Sequence, residues 1–363
     1  MIYLDYNASV PLRPCAQKAV IEALNWQGNA SSVHQVGRKL RSLIDGARKN
    51  ILQDVGAERL VFTSGGTEAN ALALSGLGSI PIVASTIEHD SVLKSAPNAH
   101  HIPVTEEGSI DLEILEKILS SFDKPGLLSL MFVNNETGVI QPLLEATRLA
   151  QFKGWKVHTD ASQAPGHIPF SFKNLGVDMM TISAHKCGGP IGIGALLLKS
   201  DVHLKPLIPG GGQEYGMRSG TLSASLILGF AAALHEALKE EPRVSKRLHK
   251  FQQKIEGALP EAIVYGKKGS RVGHVLSLGM PGVPAELQLI AFDLNKIAVS
   301  AGSACSSGKM KNSHVLTAMG VSPEEAQCAI RVSMGWKTQE DEVDAFIQTW
   351  KNIHAKQIIK EAS

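Results

Sequence analysis

The feature that most constrains this chain is an alternation. Over the first two thirds of its 363 residues, short apolar runs at 60–63, 82–84, 127–133, 155–158, 179–183 and 194–198 are separated by helical patterns, for example at 67–77, 112–120 and 143–152. Short strands alternating with helices predict an α/β fold built on a doubly wound, mainly parallel sheet. The last third reads differently. A helical stretch at 222–239 leads to a charged turn, Glu240-Glu241-Pro242-Arg243, and the pattern then becomes mixed α+β. The expected organisation is a large domain over 14–245 and a smaller α+β domain made of 1–13 and 246–363. A chain of this length is long enough to bury two cores.

Charge and cysteine usage narrow the classes further. A formal net charge of +2 with no block of like charge argues against a nucleic-acid or membrane partner. No apolar run reaches the length of a membrane span. The start, Met1-Ile2-Tyr3-Leu4-Asp5, lacks the basic and apolar regions of a secretory signal. The four cysteines, Cys15, Cys187, Cys305 and Cys328, are widely spaced and form no CxxC pair. They read as free thiols in a reducing, cytoplasmic compartment rather than as a disulfide framework.

In open α/β sheets, ligands sit beyond the carboxyl ends of the strands. Five expected strand ends carry polar groups here. Thr63-Ser64-Gly65-Gly66-Thr67-Glu68 opens a helix and offers free N–H groups and a hydroxyl to a phosphate. Glu88-His89, Asn134-Asn135-Glu136-Thr137-Gly138, His158-Thr159-Asp160-Ala161-Ser162-Gln163 and Ser183-Ala184-His185-Lys186 follow the others. Each alone could be a cap or a surface polar residue. Together they point to a site, and Asp160 with Lys186 points to its chemistry. Pyridoxal phosphate needs a lysine amine to hold it and a carboxylate to keep its ring nitrogen protonated. Arg331, in the apolar run Ala329-Ile330-Arg331-Val332-Ser333, is costly to bury unless paired. A substrate carboxylate or a structural salt bridge would pair it.

Cys305 lies in Ser300-Ala301-Gly302-Ser303-Ala304-Cys305-Ser306-Ser307-Gly308-Lys309. So small and polar a stretch has little to bury and predicts an exposed, mobile loop whose sulfur is placed to react. Cys187, in Cys187-Gly188-Gly189-Pro190, reads as structural, and Cys15 and Cys328 as fill in helical surroundings.

These residues, taken in order, resemble the cysteine desulfurases of the class V aminotransferase group, within the type I pyridoxal-phosphate fold. The resemblance runs nearly end to end. It adds Tyr3-Leu4-Asp5-Tyr6-Asn7-Ala8, Gly28-Asn29-Ala30-Ser31-Ser32-Val33-His34, Gly210-Gly211-Gly212-Gln213-Glu214 and Met217-Arg218-Ser219-Gly220-Thr221 to the motifs already quoted. It implies a seven-stranded sheet and pyridoxal 5'-phosphate as cofactor. It further implies that Lys186 is the Schiff-base lysine, Asp160 the partner of the ring nitrogen and His89 the residue on the ring face. Gln163 and Asn135 would contact the ring hydroxyl and the substrate. Gly66, Thr67, Ser183 and His185 would hold the phosphate, with Thr221 added from the second subunit of a homodimer. Arg331 would hold the substrate carboxylate and Cys305 would accept sulfur.

The implied reaction takes sulfur from L-cysteine, leaving alanine and a persulfide on Cys305 for a sulfur-acceptor or iron–sulfur scaffold protein. Freed Lys186 would take the Cα proton, and His89 would move protons to or from the substrate thiol. The loop around Cys305 resembles the branch that serves nitrogenase and general iron–sulfur assembly. No metal site is expected beyond Cys305 as a transient iron–sulfur ligand. Gly66, Ala30-Ser31 and Cys187-Gly188-Gly189-Pro190 depart from the family's usual pattern, and none of these departures removes a catalytic group. A selenocysteine lyase shares the same active-site residues. An aminotransferase or lyase of the same fold, in which Cys305 would be incidental, and a non-catalytic scaffold are the other readings. Turnover of L-cysteine without an α-keto acid separates the first of these, and bound cofactor separates the second.

Overall fold

The computed structural model describes residues 1–302 and 312–361. Seven strands form one sheet in the spatial order Arg59–Thr63, Gly194–Leu198, Met179–Ser183, Lys156–Asp160, Leu127–Ser129, Ile82–Ser85, His100–Ile102. Gly194–Leu198 runs antiparallel to both neighbours, and the other pairings are parallel.

Successive side chains of a strand point to opposite faces, and here both faces are covered. Val61, Met179, Leu196 and Leu198 pack with Ala69, Leu72 and Ala73 of the helix Gly66–Ser75. Their neighbours Phe62, Met180, Ala195 and Leu197 pack with Ile44, Ile51 and Val55 of the helix Gln35–Val55. That double burial makes the strands read as unbroken apolar runs.

The sheet departs from the sequence expectation at two places. The run 127–133 is a strand only over Leu127–Ser129. Beyond it, Leu130 N and Phe132 N still donate to His158 O and Asp160 O, but Met131 N turns to the Glu88 carboxyl instead of the Ile82–Ser85 strand. The edge strand His100–Ile102 was not expected, because its two exposed histidines interrupt any apolar run.

A second, antiparallel sheet has the order Ser300–Ala301, Ala329–Ser333, Val275–Gly279, Ile263–Val264. Leu276, Leu278, Ile330 and Val332 face a separate core with Trp350, Phe292 and Phe346, the two phenylalanine rings stacking at 5.1 Å. The start of the chain joins this layer, since Ile2–Tyr3 pairs with Ile297–Ala298 and Asp5 bridges to Ser333.

The helix Ala224–Ala258 spans both cores, with Ile227, Phe230 and Leu234 in the first and Val244, Leu248 and Ile255 in the second. The charged turn expected at 240–243 is therefore the interior of one helix. Pro242 has no N–H for the carbonyl four residues earlier. The turn of helix around it is held instead by Glu240 on Arg13 at 2.6 Å and on Arg243 at 3.1 Å, and by burial of Glu241. No helix among the described residues is long and apolar enough to cross a membrane.

Candidate active site

Apart from Gly194–Leu198, the strands of the large sheet point the same way. The carboxyl ends of Arg59–Thr63, Met179–Ser183, Lys156–Asp160, Leu127–Ser129 and Ile82–Ser85 therefore line one edge. Thr63 and Ser183 are both paired with Gly194. A Cβ at Gly194 would meet the Gly65 backbone at 2.7 Å, so only glycine admits the phosphate-type turn at this approach.

At that turn the polar groups converge. Ser183 Oγ is buried with no hydrogen-bond partner among the described residues. A Cβ added to Gly66 would come within 3.2 Å of Ser162 Oγ and 3.5 Å of Ser183 Cβ, which puts the first turn of Gly66–Ser75 against these serines. Burial, then the charge of Lys186, pushes His185 down to about 4, so its ring is neutral at pH 7. Helix N–H groups and a free hydroxyl in one place suit a phosphate, and His185 follows Ser183 by two residues. Thr67 stands exposed at the same helix start, and Thr221 is exposed on the loop beyond Gly220.

Asp160 and Lys186 follow adjacent strands. Asp160 is 8% exposed; its Oδ1 accepts from Ser162 N at 3.0 Å and its Oδ2 from Asn70 Nδ2 at 2.7 Å. Lys186 donates from Nζ to the carbonyls of Asn7 and Ala8. Burial, then Arg331, lowers its amine from 10.5 to about 8, against the pull of Asp160 and Asp5. A lysine that sheds its proton that readily is available as a nucleophile and base.

The N-terminal segment ties the two layers together at this site. Arg331, 7% exposed, pairs through Nη2 with Asp5 Oδ1 at 3.0 Å and donates through Nη1 to Asn135 O at 3.3 Å, while its Nε has no partner among the described residues. Asn7 Nδ2 donates to the same Asn135 carbonyl at 2.9 Å, and Asn7 N donates to Ser333 Oγ. The structural salt bridge envisaged for Arg331 thus exists, with Asp5, and leaves a donor free for a second anion. Gln163 is buried on the turn after Asp160.

Three residues here were not singled out from the sequence: Asn7, Asn70 and Ser91; Glu88 was, as the polar strand end it forms with His89. Glu88 is fully buried, with Oε1 accepting from Ser85 Oγ at 2.6 Å and Met131 N at 2.8 Å. Burial foremost, and also the nearby Asp160 charge, raises its carboxyl to about 8. His89 is exposed, with Nδ1 2.7 Å from Ser91 Oγ. Asn7 sat inside a quoted motif and Asn70 two residues beyond one; nothing in spacing alone gave either a role.

Cys305 lies outside the described residues, as do 303–311 as a whole. The chain enters that stretch at Ala301 and Gly302 and leaves it at Asn312 and Ser313, all lining a cavity of about 300 Å³ that also holds Glu136, Glu286 and Gln327. Cys187 is buried, its thiol bonded to Ala184 O and pushed by burial to about 12, which suits a structural role. Among the described residues no group of three or more His, Cys, Asp or Glu side chains could hold a metal ion.

The family pattern of class-V aminotransferases matches residues 2–346. A cysteine desulfurase IscS of Dictyoglomus turgidum is 35% identical over 98% of this chain and 95% of its own length. The solved NifS-like protein of Rickettsia africae superposes with a TM-score of 0.92 at 34% identity, covering 98% of this chain and 99% of that one. A solved SspA in complex with cysteine superposes with a TM-score of 0.81 at 28% identity, over 92% and 99% of the two chains. Fold and family together define a pyridoxal-phosphate-dependent enzyme. The chain belongs to the class-V aminotransferase family.

Proposed function

We propose that the strand-edge site holds pyridoxal phosphate, works on free L-cysteine and delivers the sulfur to Cys305. The chain is a cysteine desulfurase, sharing family, length and fold with proteins of that name. The cysteine bound in the SspA structure supports the substrate. The observation that carries the assignment of residues is the placing of Asp160 and a readily deprotonated Lys186 on neighbouring strand ends, beside the Gly66–Ser183 anion cradle.

When bound, the cofactor supplies an electron sink that lets a proton leave the substrate Cα and weakens its Cβ–S bond. Asp160, anchored by Asn70 and the Ser162 amide, holds the ring nitrogen protonated. Lys186 would hold the cofactor, and its readily deprotonated amine is the group that would take the Cα proton. Gly66, Thr67, Ser183 and His185 hold the phosphate, joined by Thr221 from a second copy of the chain, so the working unit is a two-fold homodimer. Gln163 and Asn135 contact the ring hydroxyl and substrate. Arg331, steadied by Asp5, turns its remaining donors to the substrate carboxylate. His89 meets the substrate thiol. Cys305, as thiolate, attacks the substrate sulfur. The Cβ–S bond breaks, the sulfur stays on Cys305 as a persulfide, and the carbon skeleton leaves as alanine. The persulfide then passes to a sulfur-acceptor protein. The free thiols of Cys15, Cys187 and Cys328 support work in a reducing cytoplasm.

The test is an alanine and persulfide assay with L-cysteine on the wild-type enzyme and Cys305→Ala. The variant should still bind L-cysteine but form almost no protein-bound persulfide. Alanine and sulfide release at the wild-type rate would rule Cys305 out as the acceptor.

A further inference from the structure

The residues behind His89 are bonded in a way its role does not require. Asn70 is 1% exposed and donates both hydrogens of Nδ2, one to Asp160 Oδ2 at 2.7 Å and one to Ser91 Oγ at 2.9 Å. The amide orientation follows from chemistry: its oxygen turned toward the Asp160 carboxylate would set acceptor against acceptor. Ser91 Oγ, already an acceptor, has its own hydrogen left for His89 Nδ1 at 2.7 Å. The backbone N–H of Ser91 also points at His89 Nδ1, at 3.1 Å, and a backbone N–H can only donate. Two donors therefore converge on one ring nitrogen. Nδ1 is an acceptor, and in the neutral ring the hydrogen sits on Nε2.

We propose that Ser91, held by Asn70, is a positioning residue that locks His89 in the Nε2–H tautomer and so makes it a hydrogen-bond donor to the substrate, coupled to Asp160 through two side chains, Ser91 and Asn70. The inference rests on the placing of His89 beside the substrate given above. It decides between the two directions open to His89: its Nε2 already carries a hydrogen, so it orients the substrate thiol by donating to it and does not withdraw a proton there. Asn70 serves both ends of the chain, because one amide anchors the carboxyl that faces the ring nitrogen and the hydroxyl that sets the imidazole.

Long-range nitrogen–proton NMR on the holoenzyme labelled with 15N-histidine, with His89→Gln used to assign the signal, reads the tautomer directly. Nδ1 should appear unprotonated and Nε2 protonated. A ring carrying its hydrogen on Nδ1 would overturn the proposal. Steady-state kinetics supply the second arm. Ser91→Ala keeps the backbone bond but loses the hydroxyl, and should lower kcat about five-fold, the worth of one net hydrogen bond, with KM little changed. Ser91→Thr should restore it. In a His89→Ala background Ser91→Ala should cost nothing more, because its effect runs through the ring. An equal loss in both backgrounds would mark Ser91 as merely structural and refute the coupling. If His89→Ala alone turned over at the wild-type rate, the placing of His89 would be wrong, while the NMR result would still judge the tautomer.

Discussion

His158 and His274 are both shut away from solvent, at 0% and 1% exposure, yet they live differently. His158 lies in the middle strand behind Asp160, with Nδ1 2.9 Å from Ser129 Oγ and Nε2 3.1 Å from Thr181 Oγ1, so it cross-links three neighbouring strands. His274 lies just before Val275–Gly279, where the two cores meet. Its ring stacks on His167 at 3.6 Å, and neither of its nitrogens has a partner among the described residues; nor has His167 Nδ1. Burial drives His158 down to about 4 and His167 to about 3, the latter helped by Arg13, and holds His274 well below the usual range, helped by His167 and His249. The strand edge thus spends its buried polar groups on bonds that aim a site, while the junction leaves imidazoles uncompensated. Variants at the edge should change turnover and leave stability nearly alone, and variants at the junction should do the reverse.

The largest effect expected is for Lys186→Ala, which should lower alanine formation from L-cysteine by at least about 10²-fold, with a urea midpoint close to wild type. A large loss of stability in that variant would blur the distinction between the two regions. Next, Asp160→Asn should retain the cofactor, seen by its absorbance, while losing most turnover, since a neutral partner no longer holds the ring nitrogen protonated. Near-normal cysteine consumption would count against the strand-edge reading.

The junction answers to pH instead. His167 and His274 are neutral in the folded chain but titrate near 6.5 when unfolded. Their contribution to stability is therefore whole above that pH. It is lost as the pH falls toward about 3, where folded His167 titrates, at up to about 2.7 kcal/mol per pH unit for the pair. His274→Leu should lessen that slope by up to about 1.4 kcal/mol per pH unit, measured by urea unfolding between pH 6.5 and 4.5, with kcat at pH 7 little altered. Identical slopes in the two proteins would show that His274 does not take up a proton on unfolding.

The smallest effect concerns Glu88, a strand-edge group that behaves like a junction one. Its carboxyl is neutral in the folded chain up to about 8 but ionises far lower when unfolded. The stability it contributes is whole at low pH and is lost as the pH rises from the ordinary carboxylate range to about 8. Glu88→Gln removes that titration, so the variant should melt at or above the wild-type temperature at pH 7. A clear drop would mean that the carboxylic acid donates a bond its amide replacement cannot make.

Much of this was legible in the chain itself. The strands Met179–Ser183 and Gly194–Leu198 and the helices Leu112–Ser120 and Leu143–Phe152 fall where hydrophobic runs and periodicity put them, because elements buried on one or both faces must show their burial in composition. Asp160, Lys186 and the Gly65-Gly66-Thr67 turn announced themselves as polar groups after apolar runs. The Pro242 helix did not, since local propensity favours a break there and only packing against two cores and the Arg13–Glu240 pair carries the helix through.

What the amino-acid sequence determined alone was the set of chemical groups, the order of strands and helices along the chain, and a start at Asp5-Tyr6-Asn7 that matched a known pattern without an evident task. Tertiary structure decided which of those groups meet. Asp5 reaches Arg331 across 326 residues of chain, Asn70 reaches Asp160 across 90, and His167 meets His274 only where the two cores adjoin. Periodicity reports the environment of a residue along its own element. Hydrogen bonds between elements depend on sheet order and helix placement, which no local pattern encodes.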